Sequence, residues 1–495
     1  MLSTMQNDSE NNEHSPKRAR ESRFSRIRNS RTQDSQHQQK PRSRKRPNAI
    51  KRLFDHWYNR LLGVYNDKSF ENQEELYAAN RTKRDFVFNT LGSVVFGIVF
   101  PVLTVVATHV SGVEKAGMFS MAFVVSQLLF IVANFGVRTY QISDLEEKHS
   151  FKDYQVNRII TCVAMIIVGI AYCKIRSYDA EMFNICLGIF IYKAIDGLAD
   201  VYEGRLQQME KMYLAGISLG LRSLLCFVIF ALVLFVTRSL IVAGYFMALA
   251  ALASFIFVTL PLAYLETPKS APLSLSSVGA LFVQCWPLFA ALFLYQLIDN
   301  MPKFVMEAFL SYDNQLYLNV LYFLSHIILQ AAQTIYKPLL VKMAQLWADP
   351  EKRKRFNIVI IAMVGMIIVL TIVIALLMDW VGIRFLSFLY GLDFSQFHGL
   401  CIAMLIAGGI TAATDFLYQT VTILRCQHKV LIAFGISAVL SVLIPLIGVK
   451  LGGLSGTVYS YLIVMLILFV LLLVVYVQIR QRMQKDAMAQ EYVVD

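Results

Sequence analysis

Twelve apolar runs succeed one another through this chain, at roughly 87–108, 117–137, 158–176, 183–202, 213–236, 241–265, 278–298, 316–339, 356–378, 397–418, 429–448 and 453–478. Each approaches the ~20 residues that an α-helix needs to cross the ~30 Å hydrocarbon core of a bilayer. A backbone in lipid must satisfy its own hydrogen bonds, which leaves helices or closed barrels, and runs of this length select helices. The expected fold is an all-α polytopic membrane protein with about 12 transmembrane helices. The composition agrees: residues are 56% hydrophobic and 16% charged, against about 25% charged in soluble domains. The seven cysteines lie singly in or beside apolar runs, without CxxC spacing, and read as small core residues rather than disulfide or metal ligands.

The chain ahead of the first run divides in two. Residues 1–48 are polar with almost nothing to bury, so they are expected to form a disordered basic tail. Residues 1–60 hold 15 Lys and Arg against 6 Asp and Glu, a net of +9 out of the chain's +12. The PRSRKRP cluster at 41–47 has the look of a nucleic-acid patch when taken alone, but beside a membrane domain it points to anionic lipid. Within 49–84, Ile50, Leu53, Phe54, Trp57, Leu61, Val64 and Tyr65 recur at helical spacing. That pattern predicts an amphipathic interfacial helix, or a docking helix for a partner, followed by a polar linker. The remaining divisions are 85–265, 266–480 and a C-terminal tail at 481–495.

Basic residues alternate between the loops. Lys148, Lys152, Arg205, Lys211, Lys342, Lys352–Arg355, Arg425, Lys429, Arg480, Arg482 and Lys485 fall on one side; Lys115, Lys174, Arg176, Arg238, Lys303, Arg384 and Lys450 fall on the other. The positive-inside rule then puts both termini in the cytoplasm and requires an even helix count. Trp380–Phe397 is too short and mixed to span and reads as interfacial at the outer side.

The fourth run carries Lys193, Asp196, Asp200 and Glu203, spaced three, four and three apart, so the four stack on one helix face. Charge at membrane depth costs at least about 2.5 kcal/mol per residue, so this stripe must face protein or a water-filled cavity. Either it lines a polar pathway, or Lys193 and Asp196 neutralise each other while Asp200 and Glu203 mark the helix end. Asp200 is expected to have no basic neighbour one turn away. In the second half, Asp299 and Lys303 sit one turn apart, His326 lies inside the eighth run, and Asp415, near Thr411 and Thr414, lies in the tenth. These are candidate cavity residues. Arg138 and Arg158 bracket the loop after the second run, with Asp144, Glu146 and Glu147 between them. At helix ends the two arginines can anchor to headgroups or bind a phosphate at a cytoplasmic gate.

Val110–Leu129 and Leu310–Leu329 align without gaps at an offset of 200, which pairs runs 1 and 2 with 7 and 8. Twelve helices then divide into two bundles of six, and a substrate site is expected between them. No HExxH, DxD, Walker loop or GxSxG occurs, so the reading is of a protein that is not an enzyme, with no catalytic residues, bound metal or cofactor. Without an ATP site, transport would be driven by an ion gradient or by the substrate's own.

The stretches Asn89–Ser93, Ala116–Ser120 with Ala122, Phe123 and Gln127, and Asn134–Gln141 with Ser143 and Asp144 carry a likeness. Over residues 85 to about 480 the chain resembles the bacterial lipid-linked polysaccharide flippases of the multidrug and oligosaccharidyl-lipid exporter superfamily. The resemblance implies a V-shaped pair of six-helix bundles around a central polar cavity. It implies alternating access, with an undecaprenyl-diphosphate-linked sugar unit carried from the cytoplasmic to the outer leaflet and cavity cations receiving the diphosphate. Two features depart from that pattern: the basic extension before the first helix, and a fourth-helix stripe more acidic than a diphosphate cavity calls for. The alternatives are a cation-coupled drug or small-solute antiporter of the same superfamily, or a non-transporting scaffold that recruits polysaccharide-synthesis enzymes through the tail.

Overall fold

The computed structural model describes residues 81–494 apart from 145, 349–352, 425 and 426. The tail at 1–48 and the amphipathic stretch Ile50–Tyr65 lie outside the described residues. No strand occurs among the described residues, which fold into helices α1 (Arg81–Ser111), α2 (Val113–Asn134), a short α3 (Val137–Ser143), α4 (Phe151–Ile175), α5 (Ala180–Gln208), α6 (Met212–Thr237) and α7 (Leu240–Glu266). After a linker come α8 (Leu275–Glu307), α9 (Tyr312–Tyr336), α10 (Leu340–Ala348), α11 (Arg353–Leu377), α12 (Ile383–Tyr390), α13 (His398–Ile423) and α14 (Gln427–Val494).

Among the described residues, eleven helical stretches are long and apolar enough to cross a membrane, and the last, Lys429–Arg482, has 54 residues. A straight helix of that length would measure about 80 Å, far beyond a bilayer core. It is broken at Gly453, whose φ of 55° and ψ of −127° are open in practice only to glycine. The arms fold back so closely that a Cβ on Gly456 would lie 1.8 Å from the Gly448 carbonyl oxygen. The two arms count separately, which gives twelve segments long and apolar enough to cross among the described residues. Small residues at such contacts are what let helices pack where lipid offers no hydrophobic drive.

Helices α1–α7 pack among themselves, chiefly α1 on α6 and α5 on α2, α4 and α7; α8, α9, α13 and α14 form the frame of the second half. The two stretches that align at an offset of 200 meet at the boundary. There α2 runs against α9, and a Cβ on Gly117 would lie 1.9 Å from the Tyr312 carbonyl oxygen. The six described cysteines outside Cys426 are all free and buried.

Three boundaries differ from the sequence expectation. Helix α4 begins at Phe151, because Ser150 and Asp153 form a reciprocal capping box; Arg158 is therefore two turns inside the helix and not at its end. Helix α8 runs on to Glu307, so Asp299 and Lys303 are intrahelical. Its first third packs in the core of the preceding half: Leu281 and Cys285 join Val137, Phe151, Tyr154 and Val201, and His149 bonds Ser277 at 2.6 Å and Gln284 at 3.2 Å. The Trp380 segment continues α11 through a π-turn at Met378–Gly382 into α12. Phe385 and Phe388 of α12 are exposed, while Tyr390 is buried against α1 and bonds the Pro101 carbonyl at 3.5 Å.

Candidate functional site

The charged stripe of α5 faces protein. Arg222, the lone charge in α6, enters between Asp196 and Glu203: its Nη2 lies 2.8 Å from Asp196, and its Nη1 donates to Glu203 at 2.6 Å. Ser218 adds a donor to Glu203 at 3.0 Å. One turn further on, Asp200 takes Arg138 on one oxygen and Arg158 at 3.0 Å on the other. The expectation that Asp200 lacks a basic neighbour is thus corrected. Its partners come from α3 and α4, elements that no spacing along α5 reveals.

Arg158 is fully buried and also donates to the carbonyl of Ala133 at 2.9 Å and to Asn134. It is an internal tie between α2, α4 and α5, and the headgroup or gate position expected for it does not hold. Arg138, just outside the spanning segments, adds a bond to Gln207 at 3.1 Å. Burial works against its charge, yet Asp200 and Glu203 outweigh burial and hold the guanidinium above its ordinary range. Asp144 organises its own loop, accepting from the backbone of Lys148 and His149 and from the Tyr154 hydroxyl at 2.8 Å.

Lys193 ends the stripe differently. Its Nζ reaches Asp196 only at 3.5 Å and sits over the rings of Phe96, Phe123, Phe130 and Tyr192 at 4.7–5.2 Å, where ring quadrupoles supply part of the lost solvation. Formal charges in this cluster are four cations (Lys193, Arg138, Arg158, Arg222) against three carboxylates (Asp196, Asp200, Glu203). With each arginine tied to carboxylates, the surplus positive charge falls on Lys193.

Lys193 opens on a cavity of about 330 Å³ between the halves. Opposite it stand Asp299, Lys303 and His326, all lining the same space. Asp299 accepts from Tyr461 at 3.1 Å and has the His326 ring at 3.5 Å; Tyr322 donates to the Asp299 backbone carbonyl. Lys303 donates to Asn300 at 3.1 Å and lies 3.5 Å from the centre of the Tyr322 ring. Of the eleven residues singled out in the sequence, the structure brings Lys193, Asp299, Lys303 and His326 to the cavity. Asp196, Asp200, Glu203, Arg138 and Arg158 form the network behind it. Asp415 lies apart, bonded by Gln333 at 3.1 Å and by Tyr336.

Arg222 was not among the sequence candidates. A single arginine inside the 213–236 run was the available signal, because an intramembrane charge demands a partner. The clasp between the halves was also missed: Glu307 at the end of α8 accepts from Arg176 at 2.8 Å and from Tyr178, both in the α4–α5 turn.

No family model matches this sequence, and no curated protein does either. Solved structures do match. The lipid II flippase MurJ in an inward closed conformation superposes with a TM-score of 0.64 at 11% identity, covering 79% of this chain and 87% of that one. The Vibrio cholerae MATE transporter VcmN in its bent form gives 0.53 at 12% identity, covering 82% and 98%. An inward-facing multidrug resistance MATE family transporter of the MOP superfamily gives 0.55 at 12%, covering 79% and 94%. The chain shares the fold of these proteins: an all-α polytopic membrane architecture.

Proposed function

We propose that this protein is a membrane transporter of the MOP superfamily that flips lipid-linked oligosaccharide or polysaccharide repeat units across the cytoplasmic membrane by alternating access. The carrying observation is the charge of the cavity. The acidic stripe of α5, which read as a departure from a diphosphate-binding cavity, is neutralised by Arg222, Arg138 and Arg158. The formal charges that line the cavity are Lys193 from the first half and Lys303 with Asp299 from the second, a net of +1. Two ammonium groups in a low-dielectric space favour an anion, and a lipid-linked sugar carries one in its phosphate linkage.

In this reading both termini are cytoplasmic, since twelve crossings return the chain to its starting side and the basic loops lie there. The basic tail meets anionic lipid, with polysaccharide-synthesis enzymes as further partners. One observation favours the cation-coupled antiporter instead: the Asp299 carboxylate and His326 face the cavity together. The deciding experiment is reconstitution of purified protein into liposomes with a fluorescent lipid-linked saccharide and, separately, a cationic dye. The proposal expects movement of the saccharide, reduced at least tenfold by Lys193→Met. Dye efflux without saccharide movement would replace it by the antiporter, and movement of neither would leave a scaffold. A reporter inserted near Ser177 should face outward and one near Lys152 inward.

A further inference from the structure

Helix α12 is apolar on two faces. Ile383, Leu386 and Tyr390 are buried against protein, as the apolar stripe of a surface helix should be. Arg384, Phe385 and Phe388 lie on the other side and are exposed, Phe388 by 83%. Trp380, in the π-turn just before, is 74% exposed. Large aromatic side chains grouped in the open mark a binding surface, and this one lies outside the cavity between the halves.

Three observations identify what covers it. The segment Arg355–Tyr390 has 36 residues, about 54 Å if straight, and cannot lie wholly within a hydrocarbon core of ~30 Å. The part as far as Leu377 already fills that core, at about 35 Å, which puts the π-turn and α12 at its edge. The exposed positions also form one continuous series. Along α11 they come as pairs four residues apart, Ile372 with Val373 and Leu376 with Leu377, and the series runs on through Trp380 with Val381 and Arg384 with Phe385 to Phe388. Residues four apart share a helix face, so the lipid-facing wall of α11 continues into the open face of α12. Finally, the composition changes along the series from aliphatic to Trp, Arg and Phe, the mixture of ring and snorkelling cation that suits the headgroup level.

The opposite side of α12 is tied to the first half. His109, in the last turn of α1, lies 2.9 Å through Nε2 from the Leu389 carbonyl oxygen. A carbonyl only accepts, so the imidazole donates. That oxygen belongs to the last turn of α12, whose carbonyls lack intrahelical partners. Gly391 ends α12 with φ of 64° and leaves room for the ring, since a Cβ there would lie 3.0 Å from His109 Cε1. Tyr390 bonds the Pro101 carbonyl of α1, and Pro101 lines the cavity.

We infer that the Trp380–Phe388 face rests in the headgroup layer of the membrane, with Arg384 toward lipid phosphate, and that α12 is a lipid-seated strap holding α1 to the second half. The inference stands apart from what the cavity carries and from which leaflet the strap meets.

The test uses the full chain in phosphatidylcholine nanodiscs. The Trp380 fluorescence is obtained as wild type minus Trp380→Phe. Phosphatidylcholine spin-labelled at the headgroup should quench it about threefold more strongly than lipid brominated deep in the acyl chains, and aqueous iodide should quench it least. Phe388→Trp in the Trp380→Phe background should give the same order from a second position. Replacing Phe385 and Phe388 together by Ser changes exposed side chains only, so the fold should persist. Hydrogen–deuterium exchange should then quicken about tenfold in α12 and in the last turn of α1, with α13 unchanged. Strongest quenching by iodide puts the face in water, and strongest quenching by the deep bromines puts it in the hydrocarbon; either overturns the seat. Quenching by none of the three, with a dimer in light scattering that the double serine variant dissolves, gives the face to a second copy and also overturns it. Headgroup quenching with unchanged exchange in α1 overturns the strap.

Discussion

The two halves of this molecule handle buried charge in opposite ways. In the first, three arginines lock three carboxylates through paired hydrogen bonds, and the Arg158 and Arg222 side chains are 0% and 1% exposed. In the second, Asp299 is met by a phenol at 3.1 Å and an imidazole at 3.5 Å, and Asp415 by a phenol and an amide. Arginine forks fix geometry as well as charge, so the first arrangement resists rearrangement. A phenol, an amide and an imidazole donate without the fixed fork of a guanidinium, so the second half can change partners at lower cost. The difference assigns a framework role to the first network and an adjustable role to the second, and mutation can separate the two.

The largest effect is expected at Arg222. Its replacement by Met strands Asp196 and Glu203 without their shared cation, and breaking a buried pair from one side costs about 3–5 kcal/mol. The variant should lose most of its folded yield in detergent, measured by size-exclusion profile and thermal unfolding. A stable Arg222→Met protein would dissolve the contrast between the halves.

Asp200→Asn comes next. From the α5 spacing alone this carboxylate has no basic partner, and its neutralisation would be tolerated; in the structure it would leave Arg138 and Arg158 facing each other. Arg158 is fully buried but the Arg138 side chain is 30% exposed, so the loss should be about 2–3 kcal/mol, below that at Arg222. Adding Arg138→Gln should recover part of the lost melting temperature, because it removes one of the stranded cations. No recovery in the double variant would mean that the two sites do not share an interaction.

How far the sequence carried these readings depends on where each partner lies. The α5 stripe was legible because Lys193 to Glu203 repeats at helical spacing, and the break in α14 was legible in the separation of the runs 429–448 and 453–478. The start of α4 was available in Ser150 and Asp153, a capping signature, yet the apolar run beginning at 158 masked it and put Arg158 at a false helix end. Arg222 was available as an isolated intramembrane charge. The partners of Asp200 were not, since Arg158 and Arg138 are 42 and 62 residues away and only packing brings them together.

A third, smaller effect concerns the clasp that joins the halves. Glu307 is nearly buried while its partner Arg176 is 29% exposed, so Glu307→Gln keeps the shape and removes the charge at a cost of about 1 kcal/mol. The expected readout is conformational: the clasp lies in the α4–α5 turn and at the end of α8, so weakening it should shift the balance between closed and open states. Thiol labelling of a cysteine placed at Gln296 should speed up in the variant while the melting temperature barely moves. Unchanged labelling would assign the clasp to stability alone.

The smallest effect on stability is expected at Asp299. Asparagine has nearly the same shape, and its oxygen can still accept from Tyr461, so Asp299→Asn should cost under about 1 kcal/mol, at least threefold less than Arg222→Met. Its charge, however, faces Lys303 and His326 across the cavity wall. Removing it leaves Lys303 less compensated and raises the positive charge offered to a ligand, so the variant should bind pyrophosphate more tightly than wild type while melting at nearly the same temperature. Release of an anion held too firmly should then slow saccharide movement in liposomes. If Asp299→Asn instead unfolds the protein as Arg222→Met is expected to, the second half is as rigidly locked as the first. If it folds but binds pyrophosphate no more tightly, the Asp299 charge does not act on the cavity, and the adjustable role passes to the lysines alone.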